Sequence, residues 1–401
     1  MVNLTSAQAA IAAKIPSALI ERHKLALAVA LATLPVERRN TIPILSNLSV
    51  IGDGAGLAFE GTDLDVVVRA RANGPADSDL AATIPADRLS DLLKKAKASD
   101  MAALEISTDS DGAPRAKVDL GGVTYALNGC LPIADYPESK KPAKATWAIN
   151  AADFMAALDR CRMAVSTEET RYYLNGIYWH SVKTGKTRVW RAVATDGHRM
   201  VTFDLPYTGN HGSEPATIIP RKAIETLFKA MALLKKAKAA PEIITVNYDG
   251  GGNAPAMSFD LGACEIVTKT IDGTFPDYSR VIPLSNENMA RLDVAAFGEA
   301  VEQVSLISAE KSRAVRLEFA PGKLGMACHS PDNGSAETSL GIEYKGAPVI
   351  AGFNGHYLRE MLADMAGGEF VMCLRDGGAP ALIRDPGEPR FCGVLMPMRV
   401  Q

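Results

Sequence analysis

The chain has 401 residues, of which 47% are hydrophobic and 22% charged, with a formal net charge of −3. That length suits two or three domains, each burying its own core. The near-neutral balance excludes a general pull toward nucleic acid or an anionic membrane, but it leaves room for a local basic surface. Six cysteines (Cys130, Cys161, Cys264, Cys328, Cys373, Cys392) lie far apart, with no CxxC pair and no histidine at ligand spacing. They are expected to be reduced and buried, with no disulfide framework, metal site or cofactor. No apolar run approaches the roughly 20 residues that a membrane helix needs. The alanine-rich stretch around Lys14, Glu21 and Arg22 lacks a basic-then-apolar signal layout, so a cytoplasmic protein is expected.

Taken in chain order, three elements recur. Thr62-Asp63, Thr195-Asp196 and Pro331-Asp332, spaced by roughly 135 residues, each end one β-rich run and open the next. These runs are Leu57 to Phe59 then Val66 to Arg69, Val189 to Val193 then Met200 to Phe203, and Leu324 to Cys328 then Thr338 to Tyr344. In step with them, segments beginning Ile84-Pro85, Ile219-Pro220 and Phe353-Asn354 pass into amphipathic helices. Their apolar stripes are Leu89, Leu92, Leu93 and Ala96; Ile224, Leu227, Phe228 and Met231; and Leu358, Met361, Leu362 and Met365. Asp119-Leu-Gly and Asp260-Leu-Gly each lead through a strand to an Asp-Tyr pair, at Tyr136 and Tyr278. Linker-like stretches follow, Pro137 to Ala145 and Pro283 to Met289. After each linker comes a further strand and helix, Trp147 to Asn150 with Asp153 to Val165, and Arg291 to Val294 with Ala296 to Ile307. The pattern predicts an α+β protein of three repeated domains, about 1–143, 144–285 and 286–401, each with two helices against antiparallel sheet.

The outward helix faces carry Lys222, Lys229 and Lys236 in the second domain, and Arg88, Lys94, Lys95 and Lys97 in the first. They read either as a stripe able to neutralise phosphates or as ordinary solvation. Glu360 and Asp364 break the pattern in the third. The helix from Ala296 turns Phe297, Ala300, Val301, Val304 and Ser308 inward, leaving Leu306 opposite and Ile307 on the flank. That is either a subunit contact or helix termination before Leu306.

Asp196, His198 and Arg199 invite an acid–base reading, perhaps of a hydrolase, but no nucleophile elbow, phosphate loop or HExxH accompanies them, and Gly250 to Gly252 read as a turn. The carboxy-terminal Met396-Pro-Met398 suits an adaptable peptide pocket, and it also suits a last strand closing the third sheet. The two readings are compatible.

Several segments together resemble the bacterial DNA polymerase III β subunit family, the sliding clamps. They are Ile42-Pro-Ile-Leu-Ser-Asn-Leu48, Gly61-Thr-Asp-Leu64, Arg171-Tyr-Tyr-Leu-Asn-Gly176, Ala192-Val-Ala-Thr-Asp-Gly-His-Arg199, Ile219-Pro-Arg-Lys222, Asp272-Gly-Thr-Phe-Pro-Asp-Tyr278, Gly352-Phe-Asn354 and Met396-Pro-Met-Arg399. The resemblance implies a non-enzymatic processivity factor with a clamp fold. Its expected form is a head-to-tail homodimeric ring that slides on duplex DNA without reading sequence, and its partners are the replicative polymerase, the clamp loader and other clamp-motif proteins. It implies a peptide cleft at Leu174, Thr195, Gly197, His198, Arg199, Met200, Pro276, Val281, Val394, Met396, Pro397, Met398 and Arg399. DNA-facing residues would be Arg39, Tyr172, Tyr173, Arg221, Lys222 and Arg280, and dimer contacts Leu306 and Ile307 against the edge near Lys117 to Tyr125. The chain departs from the pattern by roughly 15 extra amino-terminal residues, by Glu168-Glu169, whose charge would repel phosphate, and by its Val400-Gln401 end. A clamp-like paralogue of phage or plasmid origin fits the same residues.

Overall fold

The structure, a computed structural model, describes residues 17–400 except 38, 97–99, 140, 143–144, 210–214, 252–254, 309–313, 364 and 366. Lys14, Lys97, Gly252, Asp364 and Gln401, which carried expectations above, lie outside the described residues. Six α-helices stand among those described: α1 (Arg22–Ala32), α2 (Ala86–Lys95), α3 (Ala151–Arg162), α4 (Arg221–Lys236), α5 (Val294–Ser305) and α6 (Gly355–Leu362). The chain forms two compact units, residues 1–149 with 222–269, and 150–221 with 270–401.

The first unit is built on a twelve-stranded antiparallel sheet. Strand Val66–Ala76 pairs on one side with Gly54–Thr62 and on the other with Cys264–Lys269, so strands from the first and second repeats share one ladder. Strand Thr124–Leu127 is the sheet's edge beyond Pro114–Asp119. The second unit holds a nine-stranded sheet and a four-stranded one. In the larger, strand Phe391–Leu395 lies between Ala381–Arg384 and Arg199–Pro206. The last strand therefore does more than close the third repeat's sheet: it joins that sheet to the second repeat.

The repeated Thr-Asp dipeptide is a turn, and the atoms say why. Thr62 Oγ1 accepts from Leu64 N and donates to Val66 O, while Asp63 Oδ1 accepts from the amides of Asp65 and Val66. Thr195 and Asp196 make the same four bonds, to Gly197 N, Arg199 O, His198 N and Arg199 N. A short hydroxyl and a carboxylate thus satisfy the backbone where the strands part. The third residue is left-handed in both turns, Leu64 at φ 80° and Gly197 at φ 89°. In the third repeat, Ser330 Oγ accepts from Asn333 N, and Gly334 takes φ 98°.

Helix starts follow their caps. Asn150 accepts from Asp153 N, Asp293 from Ala296 N, and Asn354 from His356 N and Tyr357 N. These caps fix the first residues of α3 and α5 at Ala151 and Val294, two positions before the expected Asp153 and Ala296. Pro85 and Pro220 are the last residues of their strands, one place before the helices begin. The apolar stripes face inward: Leu89 and Leu93 in α2, Ile224, Leu227, Met231 and Leu234 in α4, and Leu358, Met361 and Leu362 in α6 are buried. All six cysteines are free and buried. Among the described residues no helix is long and apolar enough to cross a membrane, and no His, Cys, Asp or Glu group could hold a metal.

Candidate docking surface

In the second unit, Met200 stands opposite Val394 and Arg199 opposite Leu395 across the ladder. Beyond the last strand the chain stays attached, with Met396 N donating to His198 O at 2.9 Å and Met398 N to Gly352 O at 2.8 Å. A Cβ on Gly352 would meet the Met398 carbonyl oxygen at 2.7 Å, so the glycine admits this close approach. Around the Met200–Val394 pair a buried cluster gathers Leu174, Val193, Ile218, Phe275, Tyr278, Cys373, Leu382 and Cys392. Of the expected cleft residues, Leu174, Met200 and Val394 belong to this cluster. Gly197, His198, Pro276, Val281, Met396 and Arg399 are exposed, and Thr195, Pro397 and Met398 are half-buried. Apolar side chains at the surface beside an apolar floor make a place for a partner's side chains.

Arg199 is unlike the other expected cleft residues. Its side chain is 7% exposed, and all three guanidinium nitrogens are engaged: Nε with Asp196 Oδ2 at 3.0 Å, Nη1 with Glu360 Oε2 at 2.6 Å, and Nη2 with the Met163 carbonyl. The guanidinium also lies 4.3 Å from the Tyr357 ring centroid. The His198 ring is stacked on Tyr357 at 6.3 Å. Asp196 accepts from two amides of the turn and from Arg199, which is the work of a turn residue. Among the described residues no bond joins its carboxylate to the His198 ring, whose ring contact is with Tyr357, so the geometry gives the acid–base reading no support.

The segment carrying Pro276 and Val281 is held from below by an aromatic column. Tyr178 stacks on Phe275 at 4.8 Å and 6°, and on His180 at 4.5 Å and 21°. His180 Nε2 is 2.9 Å from the Tyr278 hydroxyl, which lies in the field of the Arg191 charge. Arg191 in turn is bidentate to Asp204 at 2.5 and 2.7 Å. Burial, and then the Arg191 charge, push His180 down to about 4, so the ring beside the Tyr278 hydroxyl is neutral. Burial also raises Tyr278 and the Cys373 and Cys392 thiols, which are inert apolar members of the cluster.

The residues expected to face DNA differ among themselves. Tyr172 is exposed and edge-on to Tyr173 at 5.8 Å, and Tyr173 packs on the cluster. Arg39, Arg221 and Arg280 are exposed, although Arg280 pairs with Asp277 at 2.9 Å. Lys222 is paired with Glu37 at 2.6 Å and with Asp63, whose side chain is 5% exposed. Glu168 accepts two hydrogen bonds from Arg171 at 2.7 Å each, which hold its carboxyl below the usual range. Its charge is therefore balanced locally. At the end of α5, helix termination and exposure both hold: α5 stops at Ser305, and Leu306 caps it at 81% exposure. Ile307 is half-buried, and its carbonyl accepts from Asn333 Nδ2 at 3.3 Å.

Family models for the DNA polymerase III beta subunit match in series: the N-terminal domain over residues 17–139, the central domain over 148–277 and the C-terminal domain over 279–399. The beta sliding clamp of Caulobacter vibrioides is 36% identical over 382 residues, 95% of this chain and 99% of that protein. The chain belongs to the DNA polymerase III beta subunit family. The solved beta sliding clamp of Caulobacter crescentus has a TM-score of 0.87 at 35% identity, covering 96% of this chain and 99% of that one. The Bartonella birtlesii clamp, solved bound to griselimycin, gives 0.86 at 35%, covering 96% and 100%. Like the rest of its family, the chain is a non-catalytic processivity factor of DNA polymerase, with three clamp domains of helix and antiparallel sheet.

For a beta subunit, the surface depends on residues that sequence patterns did not single out. Tyr178, His180, Arg191, Asp204 and Tyr357 sit on strands and a helix whose periodicity marks them only as outward-facing, and Glu360 was read only as breaking a basic helix face. A period-2 reading of Tyr178 and His180 against Arg191 and Asp204 would have put an aromatic and charged set on one sheet face. Their convergence on Tyr278, some hundred residues away in the chain, carried no local signal.

Proposed function

We propose that two copies of this chain close head to tail into a ring around duplex DNA, and that clamp-motif segments of the replicative polymerase, the clamp loader and other partners dock at the Met200–Val394 surface. In this reading the chain divides into domains of about 1–143, 144–285 and 286–401. Leu174, Thr195, Gly197, His198, Met200, Pro276, Val281, Val394 and Met396 to Arg399 line or border the cleft. The observation that carries it is the buried apolar cluster around Met200 and Val394, where the last strand pairs with Arg199–Pro206, with exposed Met396 and Val281 close in sequence to its members Val394 and Tyr278. Methionine at the rim adapts to different apolar partners. Arg39, Tyr172, Tyr173, Arg221 and Arg280 would meet phosphate or sugar. Lys222 would do so only by leaving Glu37 and Asp63, which lowers its expected contribution. Exposed Leu306, with Ile307, would bury against the partner's edge strand near Lys117 to Tyr125, leaving no open edge in the ring.

Retention by enclosure needs only weak phosphate contacts, which accords with a net charge of −3. The test is loading onto nicked circular DNA followed by linearisation. The protein is expected to stay on the circle through a salt wash and to leave once the DNA is cut; equal retention on both would overturn the reading.

A further inference from the structure

Arg199 and Glu360 sit at the rim of the docking surface, yet their geometry is that of a clasp. The Arg199 guanidinium is spent on three elements at once: the Asp196 turn, the Met163 carbonyl at the end of α3, and Glu360 on α6. Glu360 takes a second contact from His356, at 3.3 Å one helical turn earlier. Tyr357, on the same helix, lies beneath the guanidinium and beside the His198 ring. The four residues Gly197 to Met200 are therefore anchored to α6 at one end and, through Met200 and Val394, to the last strand at the other. A buried guanidinium with every nitrogen occupied offers a ligand little. What it can do is hold the Gly197–Met200 segment in one position beside the apolar cluster.

We propose that Glu360, acting through Arg199, is a positioning residue for peptide docking: the pair holds the Gly197–Met200 rim fixed, and Arg199 itself does not contact the peptide. This rests on the docking reading above. A preformed rim lowers the ordering cost of binding, so loosening it should appear in affinity and in rim mobility together.

The experiment uses the full chain and two versions of a short apolar clamp-motif peptide, with and without an acidic residue. Glu360→Gln keeps the shape of the side chain and removes its charge. It is expected to weaken both peptides by the same factor, about tenfold, and to speed amide hydrogen exchange at His198 and Arg199 in the unliganded protein. Unchanged affinity in Glu360→Gln, while Met396→Ala/Met398→Ala abolishes binding to the wild type's peptides, would overturn the clasp and leave the docking reading standing. A loss confined to the acidic peptide would show that Arg199 contacts the ligand and would also overturn it. Failure of the wild type to bind either peptide would defeat the docking reading itself.

Discussion

The two units contain junctions built on one backbone plan and finished with opposite chemistry. Aligning the Thr62 and Thr195 turns through their strand registers matches Val67 with Met200 and Val267 with Val394, and matches the Lys269 N to Asp65 O bond, 3.0 Å, with that of Met396 N to His198 O. Apolar residues hold the centre in both. Around it, Val193, Thr202 and Cys392 of the second unit correspond to Glu60, Arg69 and Glu265 of the first. Leu382 and Cys373 correspond to Ser258 and Asn247. In the first unit these polar groups close on one another. Arg69 pairs with Glu60 at 2.7 Å and Glu265 at 3.4 Å, Asn247 donates to Ser258 Oγ at 3.1 Å, and Lys269 pairs with Asp65 at 3.0 Å. Paired polar groups are directional and hold one another in place. The apolar set is non-directional and remains attractive to any apolar side chain that reaches it. One plan thus gives a polar junction in the first unit, where Glu60, Arg69 and Glu265 line a cavity of about 390 Å³, and an apolar one in the second.

The largest effect should come from transplanting the polar chemistry. Val193→Glu, which places Glu60's counterpart in the apolar cluster, leaves a buried carboxylate without a partner and is expected to cost about 3–5 kcal/mol. Adding Thr202→Arg, the counterpart of Arg69 directly across the ladder, should recover part of that loss. Urea unfolding midpoints measure both. No recovery in the double variant would mean that the two junctions are not equivalent in register.

A smaller difference is expected in acid. His180 corresponds to Ile51 of the first unit, so only the second junction carries this titration. With the folded value pushed to about 4 from an ordinary 6.5, the unfolded chain binds a proton that the folded one refuses. Nothing is lost above pH 6.5, and the contribution falls away as pH drops from 6.5 toward 4. His180→Gln should flatten that part of the stability profile; an unchanged slope would remove His180 as its source.

The smallest effect tests the turns themselves. Leu64 holds the left-handed position that Gly197 fills in the second unit. Leu64→Gly should therefore relieve strain and raise the melting temperature slightly, by the equivalent of about 1 kcal/mol or less after the glycine's own chain entropy is set against it. Gly197→Ala should lower it, because its Cβ would also press on the Arg171 guanidinium, 2.6 Å away.

The repeat, the helix faces and the strand connections were legible in the sequence because each is a local rule. Periodicity selects a buried face, an Asn or Asp caps a helix, and a Thr-Asp pair satisfies a turn wherever it occurs. The likeness of Ala192 to Arg199 and of Met396 to Arg399 to a clamp likewise pointed to two segments that the fold brings side by side. Tertiary structure alone decided which of those residues are free to meet a partner. Arg199 and His198 are neighbours in the chain, yet one is locked by Asp196, Met163 and Glu360 while the other is exposed. Lys222 reads as a free cation until Asp63 and Glu37 are brought beside it. The reason is that charge and hydrogen-bonding capacity belong to a residue type, but whether they are already spent depends on groups that only the folded chain brings within reach.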